Sequence, residues 1–287
     1  MKKITGLSVG LCLLFIGSSI ASAQEAAGGP MGPPKVLVIM REYIKPGKTG
    51  SLHEKTESAF IHAMSAAKWP THYFAADSLS GPSRALFFVG YPSFEAWEKD
   101  NLATQKNATL SAAMDRAGIA DGDLLTSYDS SVSVYRDDLS LRPKSFSIEQ
   151  MRYFEISRFV VRPGHEREWE ALAKMYVSGF EKAVPNAHWV TFESMYGLDN
   201  GGVFLIFNPM KSLAEVDQGM GDPKLFMSSL SESDRKKLTE LTASCIESSQ
   251  TNLFVFNPKE SYPDDEWIKA DPFWKPKTVA PAAKPAQ

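Results

Sequence analysis

Two stretches of the chain share one pattern of apolar and polar positions. A mostly apolar run from Val36 to Ile44 leads into Lys45-Pro46-Gly47, and a second run from Arg152 to Val161 leads into Arg162-Pro163-Gly164. Apolar runs of this length are typical of buried β-strands, and a Pro-Gly pair is typical of a turn. Each stretch therefore predicts a strand that ends at a sharp corner, and an amphipathic segment follows each corner.

The two corners indicate that the chain is duplicated. Pro46 and Pro163 are 117 residues apart (163 minus 46), and Pro92 and Pro209 have the same separation (209 minus 92). In each half the pattern predicts the element order β-α-β-β-α-β. The predicted fold is therefore α+β, with two tandem ferredoxin-like repeats packed sheet to sheet through a pseudo-twofold axis as a pseudo-dimeric α+β barrel.

Apolar periodicity also predicts the helix after the first corner, from about Thr49 to Ala67. Its inward stripe is predicted to consist of Leu52, Thr56, Phe60, Ala63 and Ala67. His53 and His62 fall off this stripe, so solvated positions are expected for both.

The corresponding helix of the second half, from His165 to Val184, has an aromatic stripe that includes Trp169 and Tyr176. Such a stripe either packs in the core or lines a cofactor pocket, and the core interpretation is the simpler one. Any small-molecule site is predicted in the first half instead, between its long helix and its sheet, where smaller side chains leave room.

Composition along the chain predicts six segments. They are a signal peptide (1–23), a flexible linker (24–35), the first repeat (36–136), a connector (137–151), the second repeat (152–257) and a largely disordered Pro-, Lys- and Ala-rich tail (258–287). Trp267, Phe273 and Trp274 are the tail residues best suited to pack on the body.

The first 23 residues have the three parts of a secretory signal. Lys2-Lys3 precede an apolar run from Ile4 to Ile16, and Ala21-Ser22-Ala23 form a small-residue cleavage site. We expect cleavage after Ala23 and a periplasmic or secreted protein. The mature chain then keeps one cysteine, Cys245, which is predicted to be a small buried residue on a helix.

Charge and motifs exclude several classes of function. A net charge of -3 does not favour nucleic-acid binding. The chain has no His-x-x-x-His or Glu-x-x-His cluster on one helical face, so no metal site is predicted. Serine-hydrolase, phosphate-loop and dinucleotide motifs are also missing from the sequence.

Two β-α-β-β-α-β units with basic-Pro-Gly corners resemble the dimeric α+β barrel superfamily of ferredoxin-like domains, in its fused two-repeat form. Arg41, Tyr43 and Lys45-Pro46-Gly47 are similar to NIPSNAP-type members, and the segment 209–215 resembles uncharacterised exported bacterial relatives. The superfamily includes haem-degrading and quinol-forming monooxygenases, chlorite-dismutase-like and dye-decolourising haem enzymes, and muconolactone isomerases. The resemblance implies the fold and does not choose among these activities.

Four residues at equivalent places in the two halves are the candidate ligand-binding residues. Arg41 and Arg158 lie on the first strands, where each either binds an anionic group or pairs with a nearby acid. His72 and His188 begin later strands beside aromatic residues, where each acts either as a base or haem ligand or as a half-exposed strand end. Arg41 and His72 are the polar contacts expected for a site in the first half.

Two functions remain open at this point. The first is an exported binding or structural protein that holds a small apolar or anionic ligand. The alternative is a haem-dependent or cofactor-independent monooxygenase or related oxidoreductase. No cofactor is predicted from the residues, and the resemblance leaves haem open although no ligand motif supports it. We expect no nucleic-acid partner, no stable membrane anchor, and either a pseudo-dimeric monomer or a homodimer.

Overall fold

Eight antiparallel β-strands close into one barrel in this computed structural model, which describes residues 32–198 and 202–275. The strands are β1 (Val36–Ile44), β2 (Tyr73–Ser78), β3 (Arg84–Tyr91), β4 (Leu125–Tyr135), β5 (Tyr153–Val161), β6 (Val190–Tyr196), β7 (Val203–Met210) and β8 (Ile246–Tyr262). Their order around the barrel is β1-β3-β2-β8-β5-β7-β6-β4. The predicted α+β fold with a closed barrel is confirmed at this level.

Helices cover the outside of the barrel. Those in the described residues are α1 (Ser51–Ala66), α2 (Phe94–Lys106), α3 (Ala108–Gly122), α4 (Glu166–Ala183), α5 (Ala214–Gly219), α6 (Asp222–Ser229), α7 (Glu232–Cys245) and α8 (Asp265–Ala270). Helix α1 packs beside α3, and α4 packs beside α7. Among the residues described, no helix is both long and apolar enough to cross a membrane.

The strand order is the same in both halves of the barrel. Strands β4-β1-β3-β2 follow one another in the first half, and β8-β5-β7-β6 follow in the second. The halves are joined edge to edge, because β2 pairs with β8 and β4 pairs with β6 through antiparallel ladders. The barrel is therefore one continuous sheet, and the duplication itself stays a prediction from the sequence.

The two Pro-Gly corners end β1 and β5 as predicted. Gly47 and Gly164 have φ angles of 78° and 85°, a left-handed conformation that glycine adopts without steric cost. The chain can then turn back over the sheet and form α1 after the first corner and α4 after the second. Both long helices consequently pack on the outer face of the barrel.

Alternate residues on each strand face the barrel interior and the helices. On β1, Leu37 and Ile39 belong to the barrel core, while Val36 and Val38 pack under the first-half helices. The barrel core is rich in aromatic rings, and Phe154 has centroid distances of 5.7 Å to Phe88 and 5.4 Å to Phe207. Ring packing of this kind adds stability beyond area burial alone.

The inward face of α1 differs from the prediction. Leu52 is 47% exposed, whereas His53 is 1% exposed and Glu57 is 3% exposed. The prediction that His53 is solvated is therefore wrong, although His62 is exposed as expected. The helix turns about 100° per residue, so a stripe placed one residue too early points to solvent.

The segment after Asn257 contributes to the fold as far as Lys275. Strand β8 runs on to Tyr262, α8 follows, and the Trp274 side chain is 0% exposed in the barrel core. Trp267 lies 5.1 Å from Trp274, centroid to centroid. Residues 258–275 therefore differ from the predicted disordered tail, and their aromatic residues pack on the body. Residues 276–287, the signal peptide and most of the linker lie outside the described residues.

Candidate functional site

A cavity of about 800 Å³ opens at the end of the barrel where β1 and β5 begin. Its wall is largely apolar, and the aromatic residues in it include Phe74, Phe88, Phe154, Phe192, Phe207 and Trp267. Ligand cavities of this size, about 300–1,000 Å³, commonly bury most of a small molecule. The aromatic wall suits a flat and largely apolar molecule, because ring faces and edges both offer favourable contacts.

His72 is the one histidine among the residues that line this cavity. Its Nδ1 lies 3.2 Å from the carbonyl oxygen of Tyr262, and its ring stacks on the Tyr262 ring at 4.6 Å. A carbonyl only accepts hydrogen bonds, so we assign the proton of neutral His72 to Nδ1. Nε2 of His72, a residue that lines the cavity, then carries the lone pair.

Arg41 lies away from the cavity. Arg41 lies on the same inner face of β1 as Leu37 and Ile39, but nearer the opposite end of the barrel. Its Nε contacts the carboxylate of Asp129, and its Nη1 donates to Ser131 Oγ at 2.8 Å. The acid that pairs with Arg41 is therefore on β4, across the strand ladder. The structure does not bring Arg41 and His72 together.

Arg158 and His188 take different places. Arg158 lies on the same face of β5 as Phe154 and Ile156. No ion pair joins Arg158 to an acid within residues 32–198 and 202–275. His188 Nε2 lies 2.8 Å from the carbonyl oxygen of Pro209, next to the cavity wall, and its Nδ1 lies 3.0 Å from that of Asn186. Both ring nitrogens of His188 are thus engaged by the backbone.

A second group of polar residues lies on the other face of the sheet, under α1. His53 Nδ1 is 2.8 Å from Glu260 Oε1 on β8, and His53 Nε2 is 3.0 Å from Glu42 Oε2 on β1. Asp121 of α3 also approaches Nε2, at 3.7 Å. We call these residues, together with Glu57, the histidine–carboxylate cluster.

The cluster concentrates ionisable groups where water is excluded. Burial opposes the charged imidazolium, yet hydrogen bonds to Glu260 and Glu42 prevail and raise the pKa of His53 to about 11. Burial raises the pKa of Glu260 to about 7. Burial, followed by the charges of Glu42 and Asp121, raises the pKa of Glu57 well above its usual value. Four carboxyl groups therefore share one imidazole in a region of low polarity.

Two buried oxygens of the cluster lack hydrogen-bond partners. Glu57 Oε1 and Glu260 Oε2 accept no hydrogen bond from any residue that the structure describes. A buried carboxylate oxygen without a donor is costly, and such atoms in native proteins call for a specific explanation. The cluster is therefore incompletely satisfied by its own side chains.

The corresponding layer of the second half is apolar. By the 117-residue offset (159 minus 42), Phe159 stands on β5 where Glu42 stands on β1. The ring centroids of Phe159 and Trp169 are 5.0 Å apart, and this pair corresponds to the contact of Glu42 with His53. One helical turn later, Ala173 is buried in the second half where Glu57 is buried in the first. Trp169 of the aromatic stripe on α4 is thus core, as expected, whereas Tyr176 is 36% exposed.

The described residues do not form a complete haem site. The layer under α4 is filled by Trp169, Phe204 and Phe226, whose side chains are 2–3% exposed. The barrel-end cavity contains His72, but Lys35 is the one lysine or arginine among the described residues of its wall. Two haem carboxylates would need more cationic or hydrogen-bonding partners than this wall offers.

Comparisons with known proteins show the fold. No family model matches the chain, and no curated protein matches it. A solved structure from Fusobacterium nucleatum subsp. nucleatum, provisionally assigned as a monooxygenase, is similar with a TM-score of 0.50 at 12% identity, covering 79% of this chain and 94% of that one. An anthrone oxidase-like protein gives 0.49 at 16% identity, with coverages of 80% and 94%.

A variant of chlorite dismutase from Candidatus Nitrospira defluvii in complex with cyanide has a TM-score of 0.45 at 12% identity, covering 83% of this chain and 95% of that one. At 12% identity, the structure from Fusobacterium nucleatum subsp. nucleatum shows a similarity of fold alone. The chemistry of this chain must therefore be argued from its own residues.

Proposed function

We propose that this protein binds a small, flat and largely apolar molecule in the barrel-end cavity, and that it is an oxidoreductase acting on that molecule without a bound cofactor. The observation that carries the proposal is a cavity of about 800 Å³ whose aromatic wall contains a single imidazole. The apolar wall supplies the affinity, and His72 supplies the one imidazole among the described lining residues.

The role proposed for His72 is that of a general base. The Tyr262 carbonyl, 3.2 Å from Nδ1, fixes the tautomer in which Nε2 can accept a proton. A ligand with an activated methylene would lose a proton to Nε2 and become an electron-rich anion. Dioxygen would then oxidise that anion: one CH₂ group and one O₂ become one carbonyl group and one water, and the proton returns from His72 to the water.

Simple ligand binding without turnover is the second candidate function, because the aromatic wall accounts for binding with no contribution from His72. The two candidates differ in what His72 does. As a base, it is required for oxygen consumption and dispensable for much of the binding. As part of a passive wall, it contributes to binding alone.

The test uses the purified mature chain and anthrone, a flat three-ring ketone with an activated methylene. Calorimetry without oxygen should show one anthrone bound per chain, and an oxygen electrode should show uptake above the uncatalysed rate. His72→Gln should keep binding within about tenfold and lower the rate by about 10²–10⁴. His62→Gln is the matched control, because His62 is exposed on α1.

Each outcome decides one level of the proposal. Binding with no oxygen uptake by the unaltered chain contradicts the oxidoreductase and keeps the binding protein. Uptake that His72→Gln leaves unchanged contradicts the role of His72. No binding of anthrone or of smaller aromatic probes such as naphthol contradicts the proposal as a whole.

Export and the finer family assignment also belong to this proposal. The tripartite sequence at residues 1–23 supports a periplasmic or secreted protein, and the corner motifs support a NIPSNAP-like or related exported barrel protein. Shared strand order in the two halves supports a pseudo-dimeric chain. Intact-mass analysis of protein from the periplasm or medium should give a chain beginning at Gln24, and a mass that retains Met1 would contradict export with cleavage.

A further inference from the structure

Four side chains of the histidine–carboxylate cluster surround one small buried space. Glu42, His53, Glu57 and Asp121 each offer one ligand atom, and these four atoms all lie within 4.8 Å of one another. Donors bind zinc at about 2.0–2.2 Å in a tetrahedral arrangement, so two donors of such an ion lie about 3.3–3.6 Å apart. The donor atoms are therefore at most about 1.5 Å farther apart than in a tetrahedral zinc site, and small rotations of the carboxylate side chains would close this gap.

A second observation points to a ligand at this place. Glu57 is 3% exposed, and its Oε1 accepts no hydrogen bond within the part of the chain that the structure describes. It shares the space with two further carboxylates and lies on α1 one turn after His53. A cation bound there would give this oxygen the partner that the side chains do not supply.

The orientation of His53 fits the same conclusion. Nδ1 lies 2.8 Å from Glu260, and Nε2 lies 3.0 Å from Glu42 and 3.7 Å from Asp121, where a bound ion would take the place of the Nε2 proton. Metal-bound histidines usually donate their other ring N–H to a carboxylate or carbonyl, which orients the ring. Thr56 likewise donates to Asp121 Oδ1 at 2.7 Å and orients that carboxylate. The donors thus have supporting contacts of the expected kind.

We propose that the first half binds one divalent first-row transition metal ion through Glu42, His53 Nε2, Glu57 and Asp121, with Glu260 orienting His53. Imidazole favours zinc, iron and copper, carboxylates favour manganese, and this mixed set suits Zn²⁺ or Mn²⁺. Calcium, by contrast, takes six to eight oxygen ligands. The ion would join β1, α1 and α3 beneath the first-half helices and so stabilise the fold.

This metal site goes beyond the proposed oxidoreductase and does not depend on it. The cavity lies at the barrel end and includes inner-face side chains such as Phe88, whereas Glu42 faces α1 on the outer side of the sheet. Variants of the cluster can therefore be tested separately from variants of the cavity.

The experiment is metal titration of the mature chain after dialysis against EDTA. Calorimetry with Zn²⁺ alone and with Mn²⁺ alone should show one ion per chain, and the melting temperature should rise on binding. Glu57→Gln keeps the shape and removes the charge, so it should weaken binding at least about tenfold. Without metal, the same variant should melt no lower than the unaltered chain, because the amide keeps the side-chain shape and replaces a carboxyl group whose Oε1 has no hydrogen-bond partner among the described residues.

Glu54→Gln is the matched control, because Glu54 lies on the same helix and pairs with Lys259 at the surface. It should bind the ion as tightly as the unaltered chain. Asp121→Asn serves as the second ligand variant if Glu57→Gln fails to fold. A folded, metal-free chain that binds neither ion contradicts the proposal, and so does a ligand variant that binds as tightly as the control.

Discussion

The two halves of the barrel place the same kind of helix over the same kind of sheet, yet they fill the space between them with opposite chemistry. In the second half, Trp169 and Phe159 form part of an aromatic layer. In the first half, His53 and Glu42 occupy the corresponding places. A fold that is stable with apolar residues there does not need charged ones. The polar layer therefore calls for a function of its own, and metal binding gives it one.

The largest effect is expected from carrying the first-half chemistry into the second half. Ala173→Glu puts a carboxylate at the place that corresponds to Glu57, where Ala173 is 9% exposed and its neighbours are apolar. A lone buried charge costs about 3–5 kcal/mol, so the free energy of unfolding in urea should fall by that amount.

Ser178→Glu is the control for this change, because Ser178 is exposed on the same helix. It should alter the free energy of unfolding by no more than about 0.5 kcal/mol. If Ala173→Glu is equally harmless, the second-half layer tolerates charge and the contrast between the halves fails.

A smaller effect is expected at Trp169. Its side chain is 3% exposed, and its Nε1 donates no hydrogen bond within the described residues. Trp169→Phe removes both ring volume and the unpaired donor, and these opposing effects should leave the free energy of unfolding within about 1 kcal/mol of its original value.

Thermal and urea unfolding of Trp169→Phe, compared with the unaltered chain, check this prediction. A loss of more than about 3 kcal/mol would show that the indole nitrogen has an important polar partner. The second-half layer would then be less apolar than its contacts indicate.

Apolar patterning in the sequence is enough to predict the strands, the Pro-Gly corners and the buried face of α4. It misplaces the buried face of α1 because the buried residues His53 and Glu57 are polar, and the offset between the halves also changes there. The corners are 117 residues apart (163 minus 46), but His53 corresponds to Trp169 at an offset of 116 (169 minus 53). The first half has one residue more than the second between its corner and this position, which rotates the helix by about 100°, and the fixed offset pairs Trp169 with Leu52 instead.

A similar shift affects the second proline marker. Pro92 follows β3, whereas Pro209 lies inside β7. Tyr91 pairs with Val36, and Met210 pairs with Tyr153, so the strand register gives an offset of 119 there (210 minus 91). Insertions in loops change such offsets without changing the strand order, and a fixed spacing in the sequence cannot follow them.

The cluster could not be predicted by periodicity, because its buried face is polar. The spacing of His53 and Glu57, four residues apart on one helical face, is the one local feature of the sequence that indicates the cluster. Glu42, Asp121 and Glu260 come from distant parts of the chain, and only the fold brings them together. His72 was found from its position at a strand start, but its cavity depends on residues from both halves.

The most direct test of the polar layer is anomalous X-ray diffraction from crystals of the mature chain grown with Zn²⁺ and recorded at the zinc absorption edge. We expect one anomalous peak among His53 Nε2, Glu42, Glu57 and Asp121, at about 2.0–2.2 Å from the donor atoms. A structure at the same conditions with no peak at this place, and with the four side chains bonded to one another or to water, would contradict the account.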